Sequence, residues 1–267
     1  MIKVEMLDKS TENKWTFVMS GISPEYANTL RRLMMTEVPV MAIEDVEIRK
    51  NNSILYDEML TLRLGLVPLT TDLKGYTLPE ECSCKGAGCN SCTVTLTLKE
   101  KGPGTVYASD LKSKDPAVKP VYPKMPLMKL LEGQEVELEA TAMLGKGKTH
   151  SKWNTGLVFF KGNPHVEVKK DPDSMELKKS IVKACPVNIF ELKGDKLITV
   201  EKNIPACHLC SACTDLSKDI SVETNEEYLF TIESFGQLTP KEIAVKSLDE
   251  FNKQLDEFVE LSKALEL

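Results

Sequence analysis

The hydrophobic pattern changes its period twice near the N-terminus. Polar and apolar side chains alternate over residues 14 to 19, which predicts the second of two short strands joined by a polar turn. The period then becomes helical, because Ser23 is a favourable N-cap, Pro24 suits the first helical position and Pro39 stops the run. The pattern predicts a helix of about three to four turns with one apolar face. That face consists of Tyr26, Ala27, Leu30, Leu33 and Met34, and the other face carries Arg31 and Arg32.

The middle of the chain is rich in Val, Ile and Leu and in alternating segments. Residues 40 to 69 are predicted to form sheet with a short helix, and residues 93 to 100 and 132 to 144 each alternate as one strand. From Glu176 to Leu209 the pattern predicts a short helix followed by two small strands. Mixed helix and sheet are therefore expected throughout.

The C-terminal segment predicts a long helix that opens at Thr239 and Pro240 and runs to the terminus. Its apolar and small residues recur at alternating spacings of four and three, which defines a heptad seam. The seam consists of Ala244, Leu248, Phe251, Leu255, Phe258, Ser262 and Leu265. Such a seam fits a helix that packs on its own core, and it fits equally a helix that packs on a partner chain.

Composition and charge exclude some classes of protein. The chain of 267 residues has a net charge of -6, which argues against nucleic-acid binding by a basic face of its own. No apolar run reaches the length of a membrane span, and the acidic N-terminus does not resemble a signal peptide, so we expect a cytosolic protein. The most basic stretch is short and contains Lys146, Lys148, His150, Lys152 and Trp153. Taken alone, these residues predict an exposed basic loop.

Eight cysteines fall into two groups of four, which in a reducing cytosol indicates metal ligands rather than disulfides. The first group is Cys82, Cys84, Cys89 and Cys92. Four thiolates in so short a segment predict a closed structural zinc site, and the C-x2-C half is the usual zinc knuckle. An unmetallated or redox-active loop is the alternative.

The second group is Cys207, Cys210 and Cys213 with Cys185 upstream. The C-x2-C-x2-C run is typical of an iron-sulfur site, and in two-cluster ferredoxins the cysteine that precedes a proline ligates the other motif's cluster. Cys185 is followed by proline, so these four residues predict one [4Fe-4S] site. A second four-cysteine zinc site or a cluster-free remnant are the alternatives, and His208 is expected to be a solvated loop residue. The ligand positions of a second cluster are held by non-cysteine residues, namely Met175, Lys178, Ile181 and Ser217.

Three segments and the ferredoxin-like insert together resemble a known family. The segments are SPEYANTLRRLMMTEVPVMAIEDVEI, ILYDEMLTLRLGLVPL and LGKGKTHSKW. They are similar to the archaeal DNA-directed RNA polymerase subunit that is known as D, a relative of the third-largest subunit of eukaryotic RNA polymerase II and of the bacterial alpha subunit. The resemblance covers nearly the whole chain, and the insert is typical of the archaeal branch.

The resemblance implies an α+β protein of three parts. A discontinuous dimerisation domain of sheet plus two helices would comprise residues 1–46 and 222–267. An inserted domain of mixed helix and strand, with the zinc-type cysteine loop, would comprise residues 47–165, and a small ferredoxin-like domain residues 166–221.

The resemblance also implies a function without catalysis of its own. Family members pair with the small subunit L, and the pair is the platform on which the large catalytic subunits assemble. Small accessory subunits are further partners. The residues expected to contact partners are Leu30, Arg31, Arg32, Phe251, Leu255 and Phe258, with a solvated helix face as the alternative for the two arginines. The resemblance likewise suggests that the basic stretch from Lys146 to Trp153 meets a neighbouring subunit, with an exposed basic loop as the alternative. No D-x-D-x-D motif for the polymerase magnesium is present. The alternatives are a ferredoxin-type electron carrier or other redox protein, and a zinc-dependent nucleic-acid binder.

Overall fold

The computed structural model describes residues 2 to 264 and combines helices with antiparallel sheets. The helices are α1 (Pro24–Thr36), α2 (Asp57–Gly65), α3 (Met175–Ala184), α4 (Ala212–Leu216) and α5 (Pro240–Ala264). The first six strands are β1 (Lys3–Thr11), β2 (Lys14–Ser20), β3 (Val40–Asn51), β4 (Thr93–Lys101), β5 (Gly104–Tyr107) and β6 (Lys112–Ser113). The remaining strands are β7 (Pro126–Leu130), β8 (Glu135–Gly145), β9 (Gly156–Val168), β10 (Phe190–Lys193), β11 (Lys196–Thr199) and β12 (Ile220–Ser234).

The chain folds into two compact units. The first unit contains Thr16–Ala27 and Phe159–Thr231 together with the start of the chain. The second contains Ser10–Trp15, Asn28–Val158 and the chain from Ile232 onward. The finer division into dimerisation, insert and ferredoxin-like domains stays a prediction.

The second unit is built around a four-stranded sheet in the order β3-β8-β4-β6. Strand β8 pairs antiparallel with both β3 and β4, and its side chains alternate strictly between buried and half-buried positions. The period of two puts one face of the strand into the core. Leu60 and Leu64 of α2 are fully buried in the same apolar cluster. The predicted strands over residues 93 to 100 and 132 to 144 are both present, within small differences in their ends.

The first unit has a separate apolar core beneath its cysteines. Ile181 of α3, Phe190 of β10 and Leu197 of β11 are buried together with Cys207. The strands β10 and β11 form a hairpin of their own, as the sequence pattern predicts. The other sheet in the structure with four strands has the order β1-β2-β12-β9.

Helix α5 begins where the sequence predicts. The side chain of Thr239 accepts a hydrogen bond from the backbone N–H of Glu242 (3.3 Å), and Glu242 accepts one from the N–H of Thr239 (2.9 Å). This reciprocal pair is a capping box, which satisfies two backbone donors that a helix start leaves unpaired. The last residue of the predicted heptad seam, Leu265, lies outside the described residues. Among residues 2 to 264, no helix is both long and apolar enough to cross a bilayer.

Candidate metal centres and partner surface

The first candidate centre is the cysteine loop, residues 82 to 92, which precedes β4. Its backbone folds back on itself through left-handed conformations at Lys85, Gly86 and Gly88. Glycine adopts such conformations without a steric penalty, so the two glycines suit this tight loop. Two backbone hydrogen bonds stabilise the loop. The N–H of Thr77 donates to the carbonyl of Ser91 (2.9 Å), and the N–H of Cys92 donates to the carbonyl of Cys89 (2.9 Å).

The four sulfur atoms of the cysteine loop converge on one point. The Sγ atoms of Cys82 and Cys89 are 3.5 Å apart, those of Cys84 and Cys92 are 3.5 Å apart, and those of Cys89 and Cys92 are 3.8 Å apart. Tetrahedral zinc with bonds of about 2.3 Å sets its sulfurs about 3.8 Å apart. The loop therefore has the spacing that a single tetrahedral ion requires, and all four ligand atoms lie within 4.8 Å of one another.

The pKa values of two of these thiols are shifted in opposite directions. The backbone N–H of Cys84 and the side chain of Thr77 donate hydrogen bonds to Cys82 and lower the pKa of its thiol to about 6. Burial instead raises the pKa of the Cys92 thiol to about 12. A bound cation removes this cost by neutralising the charge that burial disfavours, since metal-bound thiols are deprotonated.

The second candidate centre lies in the first unit, where all four cysteines line one pocket. Cys185 follows the last residue of α3, Cys207 follows a 3-10 turn, and Cys213 lies in α4. Cys207 is buried, Cys185 and Cys213 are half-buried, and Cys210 is exposed. The sequence segments that carry these residues therefore meet at one place, with one ligand at the surface.

Backbone N–H groups point at the sulfurs of this second centre. The N–H of Ile189 donates to Sγ of Cys185 (3.4 Å), and the N–H of Leu209 donates to Sγ of Cys207 (3.5 Å). Leu209 adopts a left-handed backbone, with φ of 54°. Hydrogen bonds of this kind stabilise charged sulfurs and tune iron-sulfur clusters.

The wall of the second centre is apolar with one nearby cation. Val166, Val187, Phe190 and Val222 are among its lining residues. Lys161 of β9 donates a hydrogen bond from Nζ to the carbonyl oxygen of Cys207 (2.6 Å). Burial is the main cause that lowers the pKa of Lys161, and the charge of Cys207 opposes it. Lys161 is thus held against the loop that carries three of the cysteines.

The two cysteine sets differ in how closely their sulfurs approach. The first set is Cys82, Cys84, Cys89 and Cys92. Among residues 2 to 264, it is the one group of three or more potential ligand residues whose ligand atoms all lie within 4.8 Å of one another. A single tetrahedral ion needs the closer spacing, whereas each thiolate of a four-iron cluster binds a different iron atom, which spreads the four sulfurs further apart.

The positions of a second cluster are filled by packed side chains. Lys178 is 6% exposed, and its Nζ lies 2.6 Å from Oδ2 of Asp171. Ile181 is fully buried, and buried Ser217 donates to Asp219 (3.1 Å). An ion pair and apolar packing therefore occupy the places where cysteines would hold iron.

The long helix α5 is buried along only its first half. Its buried residues are Pro240, Ile243, Ser247 and Glu250, at spacings of three and four. Every residue from 252 to 261 is exposed. The exposed fractions are 46% for Leu255 and 67% for Phe258, while Phe251 is half-buried.

The residues of α1 that the sequence proposes as partner contacts have different exposures. Arg32 is exposed, and Arg31 is half-buried with its guanidinium donating to Oδ1 of Asn28 (3.0 Å). Leu30 is only 2% exposed. The expectation that Leu30 contacts a partner does not fit this burial, because the apolar face of α1 packs within the chain.

Internal acids neutralise much of the basic stretch after β8. Nζ of Lys146 lies 2.7 Å from Oε2 of Glu250 and 3.7 Å from Oε2 of Glu37. Lys152 pairs with Glu44 and donates to the carbonyl of Ile43 (2.9 Å). Two of the lysines expected at a subunit contact therefore hold the second unit together.

Lys148 keeps most of its side chain in solvent, with 76% exposed. Trp153 is buried. His150 accepts a hydrogen bond at Nδ1 from the N–H of Lys152 (3.1 Å). Of this basic stretch, Lys148 and His150 are therefore exposed, and Nζ of Lys148 lies 3.9 Å from Oε1 of Glu37.

Comparison with known proteins first gives the class of this chain. Residues 46–158, which include the cysteine loop and most of the β3-β8-β4-β6 sheet, match the family described as the RNA polymerase Rpb3/RpoA insert domain. The chain thus carries the insert domain of a polymerase subunit.

Whole-chain comparison gives the particular family. The chain is 40% identical to DNA-directed RNA polymerase subunit Rpo3 of Methanosphaera stadtmanae, over 97% of both chains. It is 38% identical to the Rpo3 subunit of Methanothermobacter thermautotrophicus, over 91% of this chain and 92% of the relative. It is also 38% identical to that of Pyrococcus furiosus, over 98% of both chains. The chain belongs to the Rpo3 family of DNA-directed RNA polymerase subunits, which another nomenclature calls D.

Proposed function

We propose that this chain is a non-catalytic assembly subunit of RNA polymerase, which pairs with the small subunit L through α5 and then receives the large catalytic subunits. Its relatives are named as polymerase subunits, which supports a place in that complex. The observation that carries the proposal is the exposure of α5 over residues 252 to 261. An exposed apolar row on a helix is expected to be covered in the assembled state.

The heptad seam supports a helical partner. Leu248 is 42% exposed, and Leu255 and Phe258 follow it at spacings of seven and three. These spacings place the three side chains along one side of the helix, where they can interdigitate with a second helix. The first half of α5 packs on this chain through a neighbouring row of residues that contains Ile243, Ser247 and Glu250, whereas the exposed seam residues Leu248, Leu255 and Phe258 support packing on a partner.

Reconstitution tests the proposal directly. The full chain, mixed with subunit L of the same organism, should sediment as a 1:1 complex, and only this complex should recruit the large subunits. Sedimentation velocity at micromolar concentrations measures the first step, and co-elution with the large subunits measures the second. The proposal would be contradicted if the chain remained monomeric in the presence of L. It would also be contradicted if the chain captured redox enzymes from extract instead of polymerase subunits.

We also propose that the cysteine loop holds one structural zinc ion and that the second centre holds one [4Fe-4S] cluster. The sulfur spacing of 3.5 to 3.8 Å supports the single ion. The N–H···S bonds and the apolar wall support the cluster. When bound, each group cross-links segments that are poor in regular secondary structure, which couples metal binding to folding.

Metal content is the measurement that checks both centres. Protein prepared without oxygen should contain about four irons with matching sulfide and about one zinc per chain. Cys84→Ser should lose the zinc and keep the iron, because the two sets share no ligand. About two zincs and no iron would instead make the second centre a structural zinc site and leave the polymerase assignment standing.

Lys161 should support the cluster loop from outside the ligand set. In Lys161→Met the carbonyl of Cys207 loses its charged donor, and a buried acceptor left unpaired costs about 1–3 kcal/mol. We expect the free energy of unfolding to fall by about this amount, with earlier loss of visible cluster absorbance on heating. Lys169→Met is the matched control, because Lys169 lies just beyond β9 and its side chain forms an exposed ion pair with Glu223 (3.7 Å). Equal effects of the two changes would contradict this role.

A further inference from the structure

The cysteine loop and α5 meet at an ion pair. Glu81 is the residue before Cys82, and its carboxylate pairs with Nζ of Lys253 in the exposed half of α5. The segment just before the loop, including Leu78 and Glu80, lines the same groove as Gln254 and Glu257 of α5. The segment that leads into the metal ligands therefore follows the helix over about one turn.

This contact comes where the other anchors of α5 end. Nζ of Lys146 lies 2.7 Å from Oε2 of Glu250, and Glu250 is the last buried residue of α5 among the side chains described, which extend to residue 263. In the described part of α5 beyond that point, Lys263 pairs with Glu260 within the helix (2.8 Å), whereas Lys253 pairs with another element. The ion pair with Glu81 is thus placed to hold the exposed half of the helix.

The ion pair lies on the opposite side of α5 from the heptad seam. At about 100° per residue, Lys253 is about 140° round the helix from Leu248 and about 160° from Leu255. Glu81 therefore contacts the face of α5 opposite the heptad seam and does not cover the seam residues. Support from that side orders the helix without competing for the surface that a partner would use.

We propose that the cysteine loop is a metal-dependent brace for α5. A metal ion bound to the four thiols would fix the position of Cys82 and therefore of the neighbouring Glu81. The ion pair between Glu81 and Lys253 would then order the exposed half of α5 before a partner binds. Ordering the helix in advance removes part of the entropic cost of binding. By linkage, the partner strengthens metal binding by the same factor. This inference rests on the proposed pairing of α5 with subunit L, and extends it by giving the metal loop a role in that pairing.

The first test needs no partner. Hydrogen exchange of the amides of residues 252 to 263 is compared in the zinc-loaded full chain and in Cys84→Ser, which removes the metal without a chelator that could attack the second centre. We expect exchange to be up to about fivefold slower in the zinc-loaded chain, the range of one exposed ion pair. The difference should vanish when Lys253→Ala is present in both forms. Equal exchange with and without zinc would overturn the brace.

The second test adds purified subunit L and measures its Kd by calorimetry. Lys253→Ala should weaken binding up to about fivefold, whereas Lys263→Ala, which removes an ion pair within α5, should leave it unchanged. The charge swap Glu81→Lys with Lys253→Glu should restore the affinity, provided that its zinc content equals that of the wild type. Equal effects of Lys253→Ala and Lys263→Ala would also overturn the brace.

The two tests separate the two proposals. If zinc slows exchange in α5 but the wild-type chain does not bind L, the brace stands and the proposed partner is wrong. If L binds and neither zinc nor Lys253 affects α5, the partner is right and the brace is wrong.

Discussion

Pairing with subunit L will be lost or strongly weakened when Leu255 is replaced by aspartate. Leu255 lies in the heptad seam and is 46% exposed, so the change removes an apolar contact from the interface and puts a charge there. Residues at the centre of an interface cost about 2–4 kcal/mol when their contacts are lost, which corresponds to about 30- to 1,000-fold in Kd. Calorimetry with the purified full-length proteins measures the loss.

Leu261→Asp is the matched control for this change. Leu261 is 67% exposed and lies about 120° round α5 from Leu255 and about 60° from Phe258, at the edge of the heptad seam. Both leucines are exposed, so neither variant should change the midpoint of thermal unfolding of the isolated chain. If Leu261→Asp weakened pairing as much as Leu255→Asp, the seam would not be the contact surface.

Cys210→Ser will affect the two proposed interactions, pairing with L and recruitment of the large subunits, to different extents. Cys210 is the exposed member of the four cysteines proposed to hold the cluster, so its replacement would remove a ligand without making a cavity. We expect loss of the iron and at least about 100-fold faster hydrogen exchange over residues 170 to 220, equivalent to about 2.7 kcal/mol of local stability. Recruitment of the large subunits should weaken, while pairing with L persists because α5 belongs to the other compact unit.

His208→Ala is the control for the second centre. His208 lines the same pocket and is exposed, and it is the histidine in that lining that could replace a cysteine as a metal ligand. With a four-cysteine cluster, His208→Ala should keep its iron and its slow exchange. Loss of metal in His208→Ala, or equal loss of both subunit interactions in Cys210→Ser, would contradict the proposed division.

Much of the local structure follows from short-range sequence signals. The hydroxyl of Ser23 accepts a hydrogen bond from the N–H of Tyr26 (3.3 Å), as expected of the N-cap that precedes Pro24. The capping box of Thr239 and Glu242 likewise starts α5 at the predicted residue. Caps and hydrophobic periods act within one or two turns, so they can be read from a single sequence.

The candidate site was only partly predictable. The spacing of Cys82 to Cys92 within one loop indicates a metal site, because a short loop limits where its thiols can lie. Nothing in the spacing points to Lys161, which contacts Cys207 from 46 residues away, or to Glu81 and Lys253, which are 172 residues apart. Contacts between distant segments depend on how the sheets and helices pack, and a single sequence carries no periodic signal for them.

Motifs and local periodicity were enough to indicate the family, the two sets of cysteines, and the starts of α1 and α5. Whether an individual side chain is buried, ion-paired or exposed depended instead on the packing of the folded chain. That packing buried Leu30, paired Lys146 and Lys152 with internal acids, and left α5 exposed beyond Glu250. A helical or alternating pattern shows which residues share a face, whereas burial of that face depends on which distant elements pack against it.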